Sequence, residues 1–440
     1  MENKKLYNKN DCAPFPPMGW NSYDYYNTTV NEEQFRANAD YMAKNLLKHG
    51  WEYAVIDIQW SETRAGAENL QNRQYIPFSR FNIDEYSRQI PAENRFPSSA
   101  GGKGFKPLAD YVHSLGLKFG IHIMRGIPRF ACHEHLPIKT HDGSKVTADM
   151  IANAYSICAW NPDMYGVDFH SPYSQDYYDS IFELYAQWGV DFVKVDDICR
   201  HVNEPIHEKE VEMMAKAIEK SGRAMVLSLS PGPAIVEKAH HYKTFANMWR
   251  ITDDFWDKWD LLKAMFERCE VWQNHVGDGN WPDCDMLPLN VLGWGWGDMT
   301  KKHEGWKSNF TPEETRTMIT LWCIFRAPLM LGTDLPQLDD FNLSLITNDE
   351  IIAMNKCPNQ AFQNCDSCHE NLVRWANECE DGKSYYECYF NLGEEPQTVK
   401  LNIKVGENDN IRDLWARKDL GSKTEFVLKP HECKALKISM

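Results

Sequence analysis

The chain has 440 residues and a mass of 51.1 kDa, beyond the ~250–300 residues at which a single hydrophobic core stops growing, so more than one domain is expected. Apolar residues at 43% and charged residues at 25% exclude wholesale disorder and fibrous structure. With 63 acidic against 47 basic side chains the formal charge is −16. Such a surface repels phosphate backbones and anionic lipid, so neither nucleic acid nor a membrane is an expected partner.

Lysines near the start are followed by no apolar stretch, so a signal peptide is not expected. No run approaches the ~18 apolar residues of a membrane span. Strand-like apolar runs then fall at residues 18–22, 54–58, 118–123, 192–196, 224–229, 247–251, 284–287 and 328–331; the first and seventh carry the weakest pattern. Helical spacing fills the intervals. Residues 30–43 place Phe35, Ala39 and Met42 on one face, and residues 175–189 do the same with Tyr178, Ile181, Phe182, Leu184 and Tyr185 before closing on Gly189. Residues 211–221 and 311–326 behave likewise, the latter opening on a capping-box pattern, Thr311-Pro-Glu-Glu314. Buried strands alternating with helices predict a parallel sheet, and eight of them fit a (β/α)8 TIM barrel over residues 1–350. No Gly-x-Gly-x-x-Gly follows the early strands, which argues against a dinucleotide fold.

Beyond about residue 355 the texture changes to short alternating runs separated by Asp381-Gly382, Gly393, Gly406 and Gly421. A C-terminal antiparallel β domain is expected over residues 351–440. The 13 cysteines are odd in number and scattered, as expected for reduced thiols in a cytoplasm. Cys365-Asp-Ser-Cys368-His369 matches a haem-attachment motif without its context, and zinc held by Cys365, Cys368, Cys379 and Cys388 lacks a second close pair. Free thiols are the expectation there.

In a barrel, the C-terminal strand ends carry the chemistry. Here they are acidic: Asp57, Asp196 with Asp197, Asp253 with Asp254, and Asp283 with Asp285, accompanied by Lys194 and Arg250. Three readings fit a mouth of this kind: glycoside hydrolysis, metal-dependent hydrolysis or isomerisation, and a sugar-binding barrel without catalysis. No His-x-His or His-Glu-x-x-His occurs, so no metal and no other cofactor is expected. The 16 tryptophans suit either a large core or the stacking of sugar rings on indoles.

Several motifs then appear in order: Met18-Gly-Trp-Asn-Ser22, Val193-Lys-Val-Asp196, Trp249-Arg-Ile-Thr-Asp-Asp254, Trp281-Pro-Asp-Cys-Asp-Met-Leu287 and Ala327-Pro-Leu-Met-Leu-Gly-Thr-Asp334. Over nearly the whole chain it resembles glycoside hydrolase family 27, which holds α-galactosidases, α-N-acetylgalactosaminidases and relatives acting on other sugars. The resemblance implies a barrel followed by a β-sandwich, and a retaining, exo-acting α-glycosidase taking an oligosaccharide or glycoside as substrate. Asp196 matches the family's nucleophile, and Asp254, four residues after Arg250, its acid/base, which is expected to be the more enclosed of the two. Lys194, Arg250 and Asp285 match residues that hold the terminal sugar. Trp20 and Asp57, with Tyr23 and His122 standing for a usual Trp and Tyr, complete the expected binding set. So does Ser230, which falls where acetamido-selective members carry Ser.

Departures bear on specificity. The usual Asp-Asp-Cys-Trp reads Asp57-Ile58-Gln59-Trp60 here, so one acid that binds O4 and O6 of galactose is gone unless another, such as Asp24, has taken its place. Gln59 and Ile198 replace cysteines of the secreted members, which implies a divergent, bacterial-type cytoplasmic protein without the family's disulfides. Galactose is the expected terminal sugar by family weight. N-acetylgalactosamine, β-L-arabinopyranose and α-glucosyl oligosaccharides are alternatives, and homo-oligomerisation stays open.

Overall fold

The computed structural model describes residues 7–66, 79–199, 207–296, 304–363, 371–401 and 410–439. Its first layer is eight short strands: β1 (Met18–Asn21), β2 (Tyr53–Ile56), β3 (Lys118–Met124), β4 (Phe192–Asp196), β5 (Val226–Leu229), β6 (Met248–Arg250), β7 (Trp281–Asp283) and β8 (Leu329–Leu331). They pair in the order β7-β6-β5-β4-β3-β2-β1-β8, every pair parallel. The two edges meet where Leu287, just past β7, bridges Leu331 in parallel and its N–H donates to the Met330 carbonyl at 2.7 Å. That bridge closes the sheet into the expected (β/α)8 barrel. Around it lie α1 (Glu32–Asn45), α2 (Lys106–Ser114), α3 (Pro172–Trp188), α4 (Glu208–Ser221), α5 (Ala239–Phe245), α6 (Trp259–Trp272) and α7 (Pro312–Phe325).

Strand parity sorts the side chains. Tyr53, Val55, Phe192, Val226, Met248, Trp281 and Met330 pack together inside the barrel and plug its N-terminal half. A step of two residues returns to the same face. The next inward positions are therefore Asp57, Lys194, Ser228, Arg250 and Asp283, at the C-terminal end beyond this apolar plug. Gly19 makes room for the plug, because a Cβ there would stand 2.2 Å from the Tyr53 carbonyl oxygen. Residues of the opposite parity, such as Ile56, Val193 and Trp249, pack with the helices in the main core.

The chain's last part forms a six-stranded antiparallel sheet, in spatial order Ala361–Gln363, Leu372–Glu378, Ser384–Asn391, Cys433–Ser439, Asn410–Asp413 and Lys418–Asp419. A second pair, Gln397–Lys400 with Glu425–Leu428, shares with it a core of Leu372, Tyr389, Val399, Leu428 and Leu436. The opposite face of the large sheet rests on α7. Phe325 meets Trp375 edge to face at 6.0 Å, and Trp415 donates its indole N–H to Thr320 Oγ1 at 2.9 Å. Thr311 caps α7 with the expected box: its hydroxyl accepts from Glu314 N at 3.2 Å while the Glu314 carboxylate accepts from Thr311 N at 2.8 Å, worth about 1 kcal/mol.

Two sequence expectations shift. The seventh strand is Trp281–Asp283, not residues 284–287, because the chain leaves the sheet in a turn that holds Asp285 at φ 78°. An antiparallel excursion between β3 and α3 (Ile127–Pro128, Ala152–Ile157 and Met164–Val167) is not foreshadowed by the apolar pattern. Cys365, Cys368 and His369 lie outside the described residues, whereas Cys379 and Cys388 are buried free thiols. Among the described residues no helix is long and apolar enough to cross a membrane.

Candidate active site

At the C-terminal mouth of the barrel the strand-end residues enclose a cavity of ≈ 270 Å³, close to the lower end of the ~300–1,000 Å³ usual for small-molecule sites. Tyr23, Asp57, Lys194, Asp196, Arg250, Asp254 and Asp285 all line it. Residues more than 250 positions apart in the chain are thus brought together by strand order alone.

Asp196 ends β4. Its Oδ2 lies 3.0 Å from His122 Nε2 and its Oδ1 accepts the Asp197 N–H at 3.0 Å. Burial acts to raise its pKa, but the His122 hydrogen bond, the Lys194 charge and the Asp197 N–H prevail and hold it at about 2. Its neighbour Asp197 turns away in the left-handed region, φ 59°, and pairs with the buried Arg125 at 2.8 Å. Of the two adjacent acids, therefore, Asp196 faces the cavity.

Lys194 bridges the floor. Its Nζ lies 3.1 Å from Asp57 Oδ2, which also accepts the Asn21 side-chain N–H at 2.7 Å. Despite burial, the charges of Lys194 and His122 keep the Asp57 pKa below the usual value, and Asp57 with Asp196 raises that of Lys194. Opposite, Arg250 is 3% exposed and splits its guanidinium between Asp285 Oδ1 at 2.9 Å and Asp254 Oδ1 at 3.0 Å. Asp285 is fixed further by the Phe255 N–H at 2.7 Å, and burial raises its pKa against the pull of Arg250. The expectation that Asp254 is the more enclosed acid fails. Its side chain is 57% exposed, against 13% for Asp196, because it stands on the loop beyond β6 at the mouth.

Three expected site residues sit elsewhere. Trp20 has the outward parity of β1; it is fully buried, packs 5.9 Å from Phe35 of α1 and donates to the Thr333 carbonyl. It is a core residue, not a sugar platform. Ser230 is 1% exposed behind Pro231, which lines the cavity in its place, and its hydroxyl has no partner among the described residues. His122 is also off the wall and touches the cavity only through Asp196.

The lining also includes Asp24, the candidate substitute for the missing O4 ligand, and Ile58, together with Trp160 and Trp256, for which the sequence carries little signal. Asp24 is 4% exposed, its Oδ2 has no hydrogen-bond partner among the described residues, and burial with Asp285 nearby pushes its pKa well up. The signal for it was an acid directly after the Gly-Trp-Asn-Ser-Tyr segment; Trp256 had only its place two residues after Asp254. Ile58 is backed by Phe81, Met124, Cys158 and Met164, so this stretch of wall is apolar. Among the described residues no group of three or more His, Cys, Asp or Glu is arranged to hold a metal ion.

The arrangement offers a deeply held carboxylate, a second carboxyl at the mouth tethered to Arg250, and polar groups on the remaining floor. Two known protein families match the chain. The family described as Alpha galactosidase A matches residues 165–357, and the Alpha galactosidase C-terminal beta sandwich domain matches residues 369–438. The structure superposes with a TM-score of 0.91 on a GH27 β-L-arabinopyranosidase from Geobacillus stearothermophilus in complex with arabinose, at 47% identity over 99% of this chain and 100% of that one. The α-galactosidase of Cyamopsis tetragonoloba is 26% identical over 97% of this chain and 86% of its own length. The α-N-acetylgalactosaminidase of Gallus gallus is 27% identical over 80% and 72%.

Proposed function

We propose, from the premise that the chain belongs to glycoside hydrolase family 27 and is therefore a glycoside hydrolase, that it removes a terminal galacto-configured sugar by a retaining double displacement. Ionised Asp196 attacks the anomeric carbon as Asp254 gives its proton to the departing glycosidic oxygen. Asp254 then takes a proton from water, which displaces Asp196 and frees the sugar with its configuration retained. A nucleophile held at about 2 is fully charged at neutral pH. Exposure at the mouth suits Asp254 to meet first a leaving group and then a water. Lys194 with Asp57, and Arg250 with Asp285, supply paired donors and acceptors for ring hydroxyls, and Tyr23 supplies a stacking face.

The terminal sugar that fits best is β-L-arabinopyranose, and Ile58 carries that reading. This pentose has the ring and hydroxyl arrangement of α-D-galactopyranose without the exocyclic hydroxymethyl group. Ile58 lines the cavity where the family's second acid is expected, and its apolar backing offers no partner to a sixth hydroxyl. A hydroxyl desolvated without a partner costs roughly 1–3 kcal/mol, about five- to a hundred-and-fifty-fold in kcat/KM. The 47% identity to an arabinopyranosidase supports the same choice. α-Galactose is the second reading, favoured by the retained Asp57–Lys194 pair. Matched p-nitrophenyl β-L-arabinopyranoside and α-D-galactopyranoside separate them: the pentoside should lead by tenfold or more, and a galactoside lead of that size overturns the choice. The 11 described cysteines are free thiols, which supports a reducing, cytoplasmic compartment.

A further inference from the structure

The cavity wall continues outward as a run of aromatic rings. Tyr23 and Trp256 line the cavity itself. Tyr23 meets Trp296 edge to face at 5.3 Å, Trp296 meets Trp256 at 5.2 Å, and Trp256 lies 5.9 Å from Trp306. Trp306 is 37% exposed yet firmly held. Its indole N–H donates to Asp257 Oδ2 at 3.2 Å, and the same oxygen receives the backbone and side-chain N–H groups of Asn309 at 2.7 and 2.8 Å. The ring lies against Gly293, where a Cβ would come within 1.6 Å of it.

A tryptophan fixed in this way spends no rotamer freedom when it meets a ligand, and its exposed apolar area contributes nothing to the core. The acid at the mouth marks where the leaving group departs, and Trp256 stands two residues from Asp254. We propose that Trp256 and Trp306 form a leaving-group subsite that stacks on the apolar face of the next pyranose, so that the substrate is a saccharide chain and not a simple glycoside. The proposal rests on the exo-glycosidase reading and extends it.

Trp306→Ala tests it, because Trp306 lies outside the cavity lining. A glycosyl fluoride occupies the cavity alone, whereas a trisaccharide ending in the same sugar also spans the subsite. In the variant, kcat/KM for the trisaccharide should fall tenfold or more, chiefly through KM, while the fluoride stays within twofold and Trp306→Phe recovers most of the loss. Equal losses on both substrates, or none on either, overturn the subsite. A loss confined to p-nitrophenyl glycosides also overturns it, in favour of aromatic leaving groups. If the wild type cleaves the fluoride but not the trisaccharide, the subsite alone fails. Silence on both removes the glycosidase reading and the subsite with it.

Discussion

Asp196 and Asp254 differ in surroundings, and the difference predicts how their loss will read. As the proposed nucleophile Asp196 carries the covalent step, so Asp196→Asn should lower turnover by several orders of magnitude on every substrate. Asp254→Asn should spare activated aryl glycosides, whose leaving groups need little protonation, and slow saccharides far more. Rates measured on both substrate types check this; near wild-type turnover by Asp196→Asn would remove it as nucleophile. Ile58 governs a different quantity. Ile58→Asp should shift the galactoside-to-arabinopyranoside ratio of kcat/KM toward galactose by about tenfold. It should also lower Tm, because a carboxylate would then stand against Phe81, Met124 and Met164. An unchanged ratio would mean that Ile58 packs without reading the sugar.

Strand ends were legible because a buried run stopping on an acid has one structural meaning in a barrel. Asp57, Lys194, Asp196 and Arg250 are legible from their places at or near the ends of strand-like runs, and strand parity explains why they face inward. Motif position suggests Trp20 as a ligand, but parity decides otherwise: it alternates with Gly19 and Asn21 and so faces α1. Asp24 lies in a single helical turn (Tyr23–Tyr26) and Trp256 on a loop, both too short to show a period, and two of the three strands after β3 span only Ile127–Pro128 and Met164–Val167. β7 adds a prediction of its own. Asp283 at its end is buried beneath the turn, accepts the Asp285 N–H at 2.9 Å, and is pushed up to about 6 by burial and by Asp285. The unfolded carboxyl ionises near 3.8, so the folded state holds this proton longer, and its contribution to stability declines as pH rises from about 4 to 6. Asp283→Asn should remove that slope. The Tm difference between variant and wild type should therefore grow in the variant's favour across this window, and a pH-independent difference would refute the assignment.

The whole molecule is joined through α7, which the barrel and the C-terminal sheet both cover. The two-part organisation was readable from the change of texture near residue 355, but the packing of Trp375 and Trp415 on α7 was not, since contacts between distant segments leave no local pattern. Among the described residues no disulfide supplements that packing: the 11 described cysteines are free, and even Cys269 and Cys284 keep their sulfurs 3.6 Å apart as a thiol pair. Dithiothreitol should therefore leave Tm unchanged within a degree or two; a large drop would reveal disulfides.

The cavity's charge has a consequence for what the enzyme ignores. Besides Asp24, whose raised pKa favours the neutral form, Asp57, Asp196, Asp253, Asp254 and Asp285 line it against Lys194 and Arg250, and both cations are already committed to carboxylates. A sugar acid would bring one more anion into this field, with its carboxylate directed at the apolar face of Ile58. D-Galacturonic acid should therefore inhibit at least tenfold more weakly than L-arabinose, and comparable inhibition constants would contradict the electrostatics. In a mixture where neutral and acidic sugars cap the same kind of chain, such an enzyme would trim the neutral ends and pass over the uronic ones.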